Sequence, residues 1–373
     1  MEKPFVFGVA TSGDNFTDRE KETQRLLLNF AHGVNTVLIS PRRWGKTSLV
    51  KKVAQLSQDN KRKVVYIDIF SCRTENEFYR LFATSILKQT SSKWEEWIEN
   101  TKQFLSHINP KISIGADPMN DFSISFEYNM QNNTENDILQ LPEKIAIEKG
   151  IQIVICIDEF QQISDFEDSK TFQKKLRSVL QQHVSYCLFG SKKHLMNELF
   201  EKKNLPFYKF GDAIYLAKIE TKYWIEYICK RFENTGKHIS PELAEEICRL
   251  VDNHSSYVQQ LSWLLWIRTI NTATTEQLSY ALEDLLDQNN ILFQSETENL
   301  SAYQMNFLKA IVDGIHTKFS SKEVISKYNL GTSANIVRLK NALLQKELIE
   351  TNGKEIVLAD PVFEVWFKKE MLY

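Results

Sequence analysis

Hydrophobic residues gather in five short blocks across the first 216 positions: TVLIS ending at Ser40, VVYIDIF from Val64, IVICID from Ile153, VSYCLFG from Val184 and AIYL from Ala213. Each block is a nearly unbroken apolar run, and charged stretches with helical spacing separate one from the next. Strands covered on both faces and joined by crossover helices have this pattern, which predicts a parallel sheet. Between the second and third blocks, KISIG (Lys111 to Gly115) and DFSISFEY (Asp121 to Tyr128) flank the turn-forming ADPMN. The alternation of Phe122, Ile124 and Phe126 predicts a β-hairpin inserted at about residues 109–130. Those three side chains either pack onto their own domain or form an exposed contact surface. From about Glu220 the period becomes helical, through YWIEYICKRF, PELAEEICRLV, YVQQLSWLLWIRTI and EQLSYALEDLL, with Ser240 and Pro241 as cap and first turn of one helix. From about Leu300 three more helices precede ELIETNGKEIVLAD, which alternates around an Asn352-Gly353 turn.

A chain of 373 residues exceeds one ordinary core and suggests two or three domains. The hydrophobic (42%) and charged (25%) fractions are ordinary for globular proteins, and a net charge of -2 gives no global attraction to nucleic acid or membrane, so any polyanion site is local. Cys72, Cys156, Cys187, Cys229 and Cys248 lack metal-like spacing and read as reduced core residues. MEKPFVFG lacks a charged-then-apolar signal, and IVICI and LLWI are far shorter than the ~20 residues that span a bilayer. A cytoplasmic protein with no membrane partner is the expectation.

The most informative polar segment is Ser40-Pro41-Arg42-Arg43-Trp44-Gly45-Lys46-Thr47-Ser48, which follows the first predicted strand and opens the helix TSLVKKVAQL. Backbone N–H groups at a helix start surround an anion, so this context suits a phosphate-binding loop. Lys46 would reach the β- and γ-phosphates, Thr47 would supply a hydroxyl to Mg²⁺, and Gly45 would let the backbone approach. Ser40 stands where such loops begin with glycine, and a serine disfavours positive φ. The alternative is a chance GKT at a helix start. The third block ends in Asp158-Glu159, where the first carboxylate would hold Mg²⁺ through water and the second would orient or deprotonate an attacking water. Two acids after a strand also suit a helix N-terminus, and that reading stays open.

These residues resemble the predicted AAA+ ATPases of archaeal and bacterial type related to STAND ATPases and the archaeal replication initiators. The stretch Phe16-Thr17-Asp18-Arg19-Glu20-Lys21-Glu22 looks like the family's F-x-x-R-E-x-E box, and SPRRWGKTSL like its GPRRxGKTSL. The resemblance implies that Arg19 lies near the adenine base. It also implies that Ser191, in CLFGSKK, sits at a γ-phosphate sensor position, with a polar helix cap as the alternative. Phe207-Tyr208-Lys209-Phe210 resembles P-x-Y-x-R with lysine at the basic position. Asn253-His254-Ser255-Ser256-Tyr257-Val258-Gln259-Gln260 resembles the lid motif G-x-P-x-x-x-Q, which offers His254 and Tyr257 to the nucleotide. Arg177 and Lys209 are candidate fingers toward a neighbouring subunit's phosphate; an exposed helix arginine is the plainer reading of Arg177. Asp360-Pro361-Val362-Phe363-Glu364-Val365-Trp366-Phe367 looks like the family's DPxFxxW ending of a winged helix.

The expected fold is α/β: a P-loop (AAA+/RecA-like) parallel sheet with helices on both faces over residues 1–217, a helical lid over 218–293 and a winged helix over 294–373. The expected function is slow ATP hydrolysis with Mg²⁺ that switches conformation or assembly, with ATP and ADP as ligands and a homo-oligomer as a candidate assembly. An alternative is an ATP-dependent DNA-binding protein, with Thr332 to Leu344 as recognition helix; another is a nucleotide-stabilised scaffold that does not hydrolyse. Residues 318–347 carry six basic and two acidic side chains, a local phosphate-attracting patch. In it Arg338 and Lys340 are candidate phosphate contacts, and Asn335 could pair with adenine. A protein-docking role for the same domain is the competing reading.

Overall fold

The five apolar blocks form five strands of one sheet: β1 (Thr36–Ile39), β2 (Arg62–Asp68), then, after the insertion, strands Gln152–Asp158, Val184–Gly190 and Asp212–Tyr215. This computed structural model describes residues 3–9, 11, 16–91, 93–108, 110–115, 117, 121–126, 134–179 and 183–371. The inserted segments Lys111–Ser113 (β3) and Ser123–Ser125 (β4) pair antiparallel, so the three later strands of the large sheet are β5, β6 and β7. The order is β2-β5-β6-β1-β7, and every pairing is parallel. All seven residues of β6 and all four of β1 are buried, which explains their unbroken apolar character: helices cover both faces.

Strand β2 is an edge, and its backbone would template another strand. Gln89, on the helix Glu75–Thr90, blocks this locally: its amide donates to Tyr66 O at 3.0 Å and accepts from Tyr66 N at 2.8 Å, as a neighbouring strand would. Register then decides which residues emerge together at the C-terminal end of the sheet. Ile39 pairs with Gly190, and Asp68 with Asp158. The residues that follow these strands, Ser40, Ser191 and Glu159, therefore leave the sheet at the same end, where open α/β sheets bind ligands.

The insertion packs on its own domain. Phe122 and Ile124 are buried and Phe126 nearly so, and the Phe122 ring lies 5.2 Å from that of Trp97. These three are core rather than contact surface. Most of the ADPMN turn (116 and 118–120) and positions 127–128 lie outside the described residues.

The chain divides into two compact units, Arg19–Ala217 and a second made of Met1–Asp18 with Lys218–Tyr373. The first expected boundary ran from residue 1; Phe5 instead packs against Tyr227 and Phe232, at 6.2 and 5.8 Å, in the second unit. In that unit the helices from Thr221 to Glu298 and the helices and hairpin from Ala302 onward share one apolar core. The last part is a winged helix: helices Ala302–Val312, Lys322–Lys327 and Ser333–Gln345, a hairpin of Ile349–Asn352 with Glu355–Leu358, and a closing helix Pro361–Met371. The long helix Thr275–Glu298 starts in a capping box of Thr274 and Gln277. It carries Phe293, whose ring meets Phe363 at 5.3 Å and Trp366 at 5.6 Å, while Trp366 Nε1 donates to Asn290 Oδ1 at 2.8 Å. Among the described residues no helix is long and apolar enough to cross a membrane.

Because Ile124 is fully buried, Ile124→Ala should destabilise the Arg19–Ala217 unit by about 2–4 kcal/mol. Native-state hydrogen exchange of the amides in β5 and β6 measures this; an unchanged protection factor would mean that the hairpin is peripheral.

Candidate functional site

The helix after β1, Lys46–Ser57, begins at Gly45, whose φ of 93° is one that only glycine adopts without strain. Arg43 also has positive φ, at 61°, so the loop makes its tight turn two residues earlier through a non-glycine residue. Ser40 is not among the described residues with positive φ. It is buried instead, and it serves the loop as an acceptor. The Lys46 ammonium, 5% exposed, donates to Ser40 O at 2.9 Å and Pro41 O at 2.7 Å, with Ser40 Oγ at 3.4 Å. A serine at the loop's start thus needs no left-handed backbone.

Opposite the loop, the buried Asp158 carboxylate accepts from Thr47 Oγ1 at 2.8 Å and from Tyr66 Oη at 2.6 Å, both on Oδ2, and from Glu159 N at 2.9 Å on Oδ1. Burial pushes the Asp158 carboxyl above the ordinary carboxylate range despite these donors, and the adjacent Glu159 adds to the rise. Burial and the Asp158 charge push the Tyr66 phenol up, so it stays a donor. Thr47 and Asp158 thus place two hard oxygens side by side, a donor set that suits Mg²⁺, which takes few protein ligands and keeps water and phosphate oxygens. Among the described residues no group of three or more His, Cys, Asp or Glu forms a metal cage.

Glu159 turns through φ 54° into a 3₁₀ turn, Phe160–Asp165, anchored by Phe160 against Phe207 at 5.3 Å and Phe200 at 5.8 Å. Its Oε2 accepts from Ser191 Oγ at 2.9 Å and Gln161 Nε2 at 2.5 Å, and Arg42 Nε donates to Ser191 Oγ at 3.3 Å. Arg19, buried and at φ 73°, donates to Trp44 O at 3.1 Å and Ala217 O at 2.7 Å, tying the loop to the end of its unit. The geometry therefore brings together Arg19, Ser40, Pro41, Arg42, Trp44, Lys46, Thr47, Asp158, Glu159 and Ser191. Tyr66 and Gln161 join them without having been expected. Tyr66 carries a signal in retrospect: a hydroxyl stands two places before Asp68, inside the apolar part of the strand, Val64 to Ile67. Gln161 carries none that separates it from an ordinary turn residue.

The other expected positions have different surroundings. Arg177 places its guanidinium 5.5 Å from the Phe210 ring centroid, at a shallow, open surface depression that Lys174 and Lys203 also line. Lys209, one residue before Phe210, has φ 51° and an exposed side chain. His254 and Tyr257 belong to the second unit, where the rings lie 4.7 Å apart; Tyr257 is buried and its hydroxyl donates to Asp360 Oδ2 at 2.5 Å. On the winged helix, Arg338 is exposed and Lys340 half-buried, while the Asn335 amide donates to Leu330 O at 2.9 Å and so is held within its own turn.

Residues 16–261 match the family of ATPase domains found predominantly in Archaea, and residues 291–369 match a probable winged helix domain. No curated protein matches the chain. A Walker-type ATPase of Pyrococcus abyssi is similar in structure, with TM-score 0.69 and 16% identity over 98% of this chain and 99% of that one. The ORC2 protein of Aeropyrum pernix, solved in ADPNP–ADP complexes, has TM-score 0.51 and 14% identity over 100% of this chain and 98% of its own. At such identities the likeness is one of fold.

The raised carboxyl of Asp158 makes a pH prediction. Its folded pKa exceeds the ordinary 3.8, so the folded state holds the proton more tightly than the unfolded chain, and stability falls as pH rises from about 4 through the folded value. Asp158→Asn removes that loss: Oδ1 still accepts from Glu159 N, and the new amide donates to the Thr47 and Tyr66 hydroxyls. Without nucleotide the variant should be more stable than wild type at about pH 7, with the gap closing toward about pH 4. Urea midpoints measured across that range check it; a gap that does not change with pH would mean that Asp158 titrates normally.

Proposed function

The chain belongs to the family of ATPase domains found predominantly in Archaea, and from this premise we propose that it binds ATP with Mg²⁺ and hydrolyses it slowly as a cytoplasmic conformational switch. The observation that carries this reading is the 2.8 Å contact of Thr47 with Asp158 at the start of the loop's helix, with the Lys46 ammonium buried beside it. Thr47 and Asp158 are the residues that would hold Mg²⁺, which when bound neutralises charge on the β- and γ-phosphates. Residues 40–48 cradle those phosphates. For Lys46 this means exchanging the Ser40 and Pro41 carbonyls for phosphate oxygens, a stronger charge-assisted pairing. Glu159 receives a proton from water as the water oxygen bonds to the γ-phosphorus. The bond from that phosphorus to the bridging oxygen breaks, and ADP and phosphate leave.

Ser191 suits a sensor of the γ-phosphate because one hydroxyl already joins Arg42 of the loop to Glu159. In this reading Arg19 shapes the loop through Trp44 O, and the Arg177–Lys209 surface meets a second copy's phosphate in a homo-oligomer. Lys46→Ala should abolish tight ATP binding. Glu159→Gln, which keeps size but cannot take a proton, should leave affinity intact and lower turnover by ~10²-fold or more. Binding and single-turnover measurements separate the two effects, and wild-type turnover in the Gln variant would reduce Glu159 to a turn residue.

A second reading, DNA binding by the winged helix, has the exposed Arg338 in its favour. Because Asn335 is held by Leu330 O, the contacts expected first are to phosphates. Replacing Arg338 and Lys340 by Ala should weaken duplex binding alike for all sequences and flatten the log K against log salt slope by roughly 0.9 per lost contact. Absence of duplex binding at low salt in the presence of ATP and Mg²⁺ would make this domain a protein-docking module.

A further inference from the structure

Gln161 lies in the 3₁₀ turn after Glu159 and is 4% exposed. A carboxylate oxygen only accepts, so the atom facing Glu159 Oε2 at 2.5 Å is the amide nitrogen. That orientation leaves Gln161 Oε1 buried and, among the described residues, without a hydrogen-bond donor. Buried amide oxygens in proteins are nearly always satisfied by a protein group or an ordered water, so among the described residues no protein donor holds the amide by this end. The neighbour explains how the amide fits: a Cβ built on Gly190 would lie 1.8 Å from Gln161 Oε1, so the amide occupies the space that any side chain at position 190 would fill.

Three constraints therefore converge on one carboxylate oxygen. Phe160 anchors the turn, Gly190 admits the amide, and Gln161 Nε2 together with Ser191 Oγ fixes Glu159 Oε2. We propose that Gln161 is the positioning residue that aims Glu159 at the attacking water, and that position 190 is glycine to make room for it. This rests on the ATPase reading for the reaction, but the contact itself is independent of that reading. With Nε2 holding Oε2, the other oxygen of Glu159 is the one left to receive the water proton.

The test uses the full chain. Gln161→Leu should lower kcat by about 10- to 100-fold and leave KM for ATP within about two-fold, with a urea midpoint no lower than that of wild type, because the unsatisfied oxygen goes with the amide. Gly190→Ala should lower kcat similarly. Combining it with Gln161→Leu should add nothing, because both changes break the same contact. Gln161→Asn keeps the amide but is one methylene too short to reach Glu159 Oε2, and it should lower kcat as Gln161→Leu does. Independent losses in the double variant, or a wild-type kcat in Gln161→Leu, overturn the proposal. A further measurement does not depend on turnover: the side-chain amide ¹⁵N–¹H signals of Gln161 should shift in Glu159→Ala, which removes the oxygen that Nε2 faces. Amide signals that stay unchanged in that variant overturn the contact. A wild-type rate no higher than that of Lys46→Ala overturns the ATPase reading instead, with the amide signals still deciding whether Gln161 holds Glu159.

Discussion

The Arg19–Ala217 unit is organised around one buried carboxylate. Asp158 sits at the end of β5 with its charge largely removed from water, a placement that costs free energy unless donors surround it. The donors come from three places: the Thr47 hydroxyl on the loop's helix, the Tyr66 phenol on the neighbouring strand and the backbone N–H of Glu159. Satisfying one side chain therefore fixes the distance between helix and sheet, the lateral position of β2 and the conformation of the next residue. The three donors do not fully offset burial, which is why the carboxyl remains harder to ionise than usual.

Strain gathers around the same carboxylate. Arg19, Arg43 and Glu159 are non-glycine residues with positive φ, and each contributes a group to the loop or the acidic end of β5. Left-handed backbone at such residues costs about 1–3 kcal/mol apiece and persists only where surrounding contacts over-determine it. Those contacts are visible here. Arg19 is held by two carbonyls, and Glu159 by the anchored Phe160 after it and by two side-chain donors. The loop holds Lys46 through its own carbonyls, so the ammonium is stored within the site rather than extended into solvent.

Much of this was legible in the sequence, for physical reasons that differ by feature. The parallel sheet could be read because strands buried on both faces lose alternation, as in VSYCLFG. The phosphate loop could be read because Gly45-Lys46-Thr47 stands between a strand and a helix, a context that fixes what those residues face. Tyr66 could not, since its partner lies 92 positions away and only the β2–β5 register brings the two together. Gln161 and Gly190 escaped for a related reason: their meaning is a steric exclusion between a turn and a strand end, which leaves no periodic mark. Phe5 likewise joins Tyr227 and Phe232 through contacts between positions more than 200 residues apart, so composition could not assign the first residues to the second unit.

In that second unit a single acid again connects distant segments. Asp360 Oδ1 accepts from Val362 N and Phe363 N and so caps the closing helix, while Oδ2 accepts from Tyr257, near the start of the helix Ser255–Arg268. The DPxFxxW ending thus has a structural function beyond marking a fold: the aspartate fastens the closing helix to the lid motif, and Phe363 and Trp366 fasten it to the helix carrying Phe293. A hydroxyl–carboxylate bond and an aromatic cluster at the same junction leave little independent freedom between lid and winged helix, because moving one past the other would break both. Moving the segment around His254 and Tyr257 therefore means either breaking the Tyr257–Asp360 hydrogen bond or carrying Asp360 and the start of the closing helix with it.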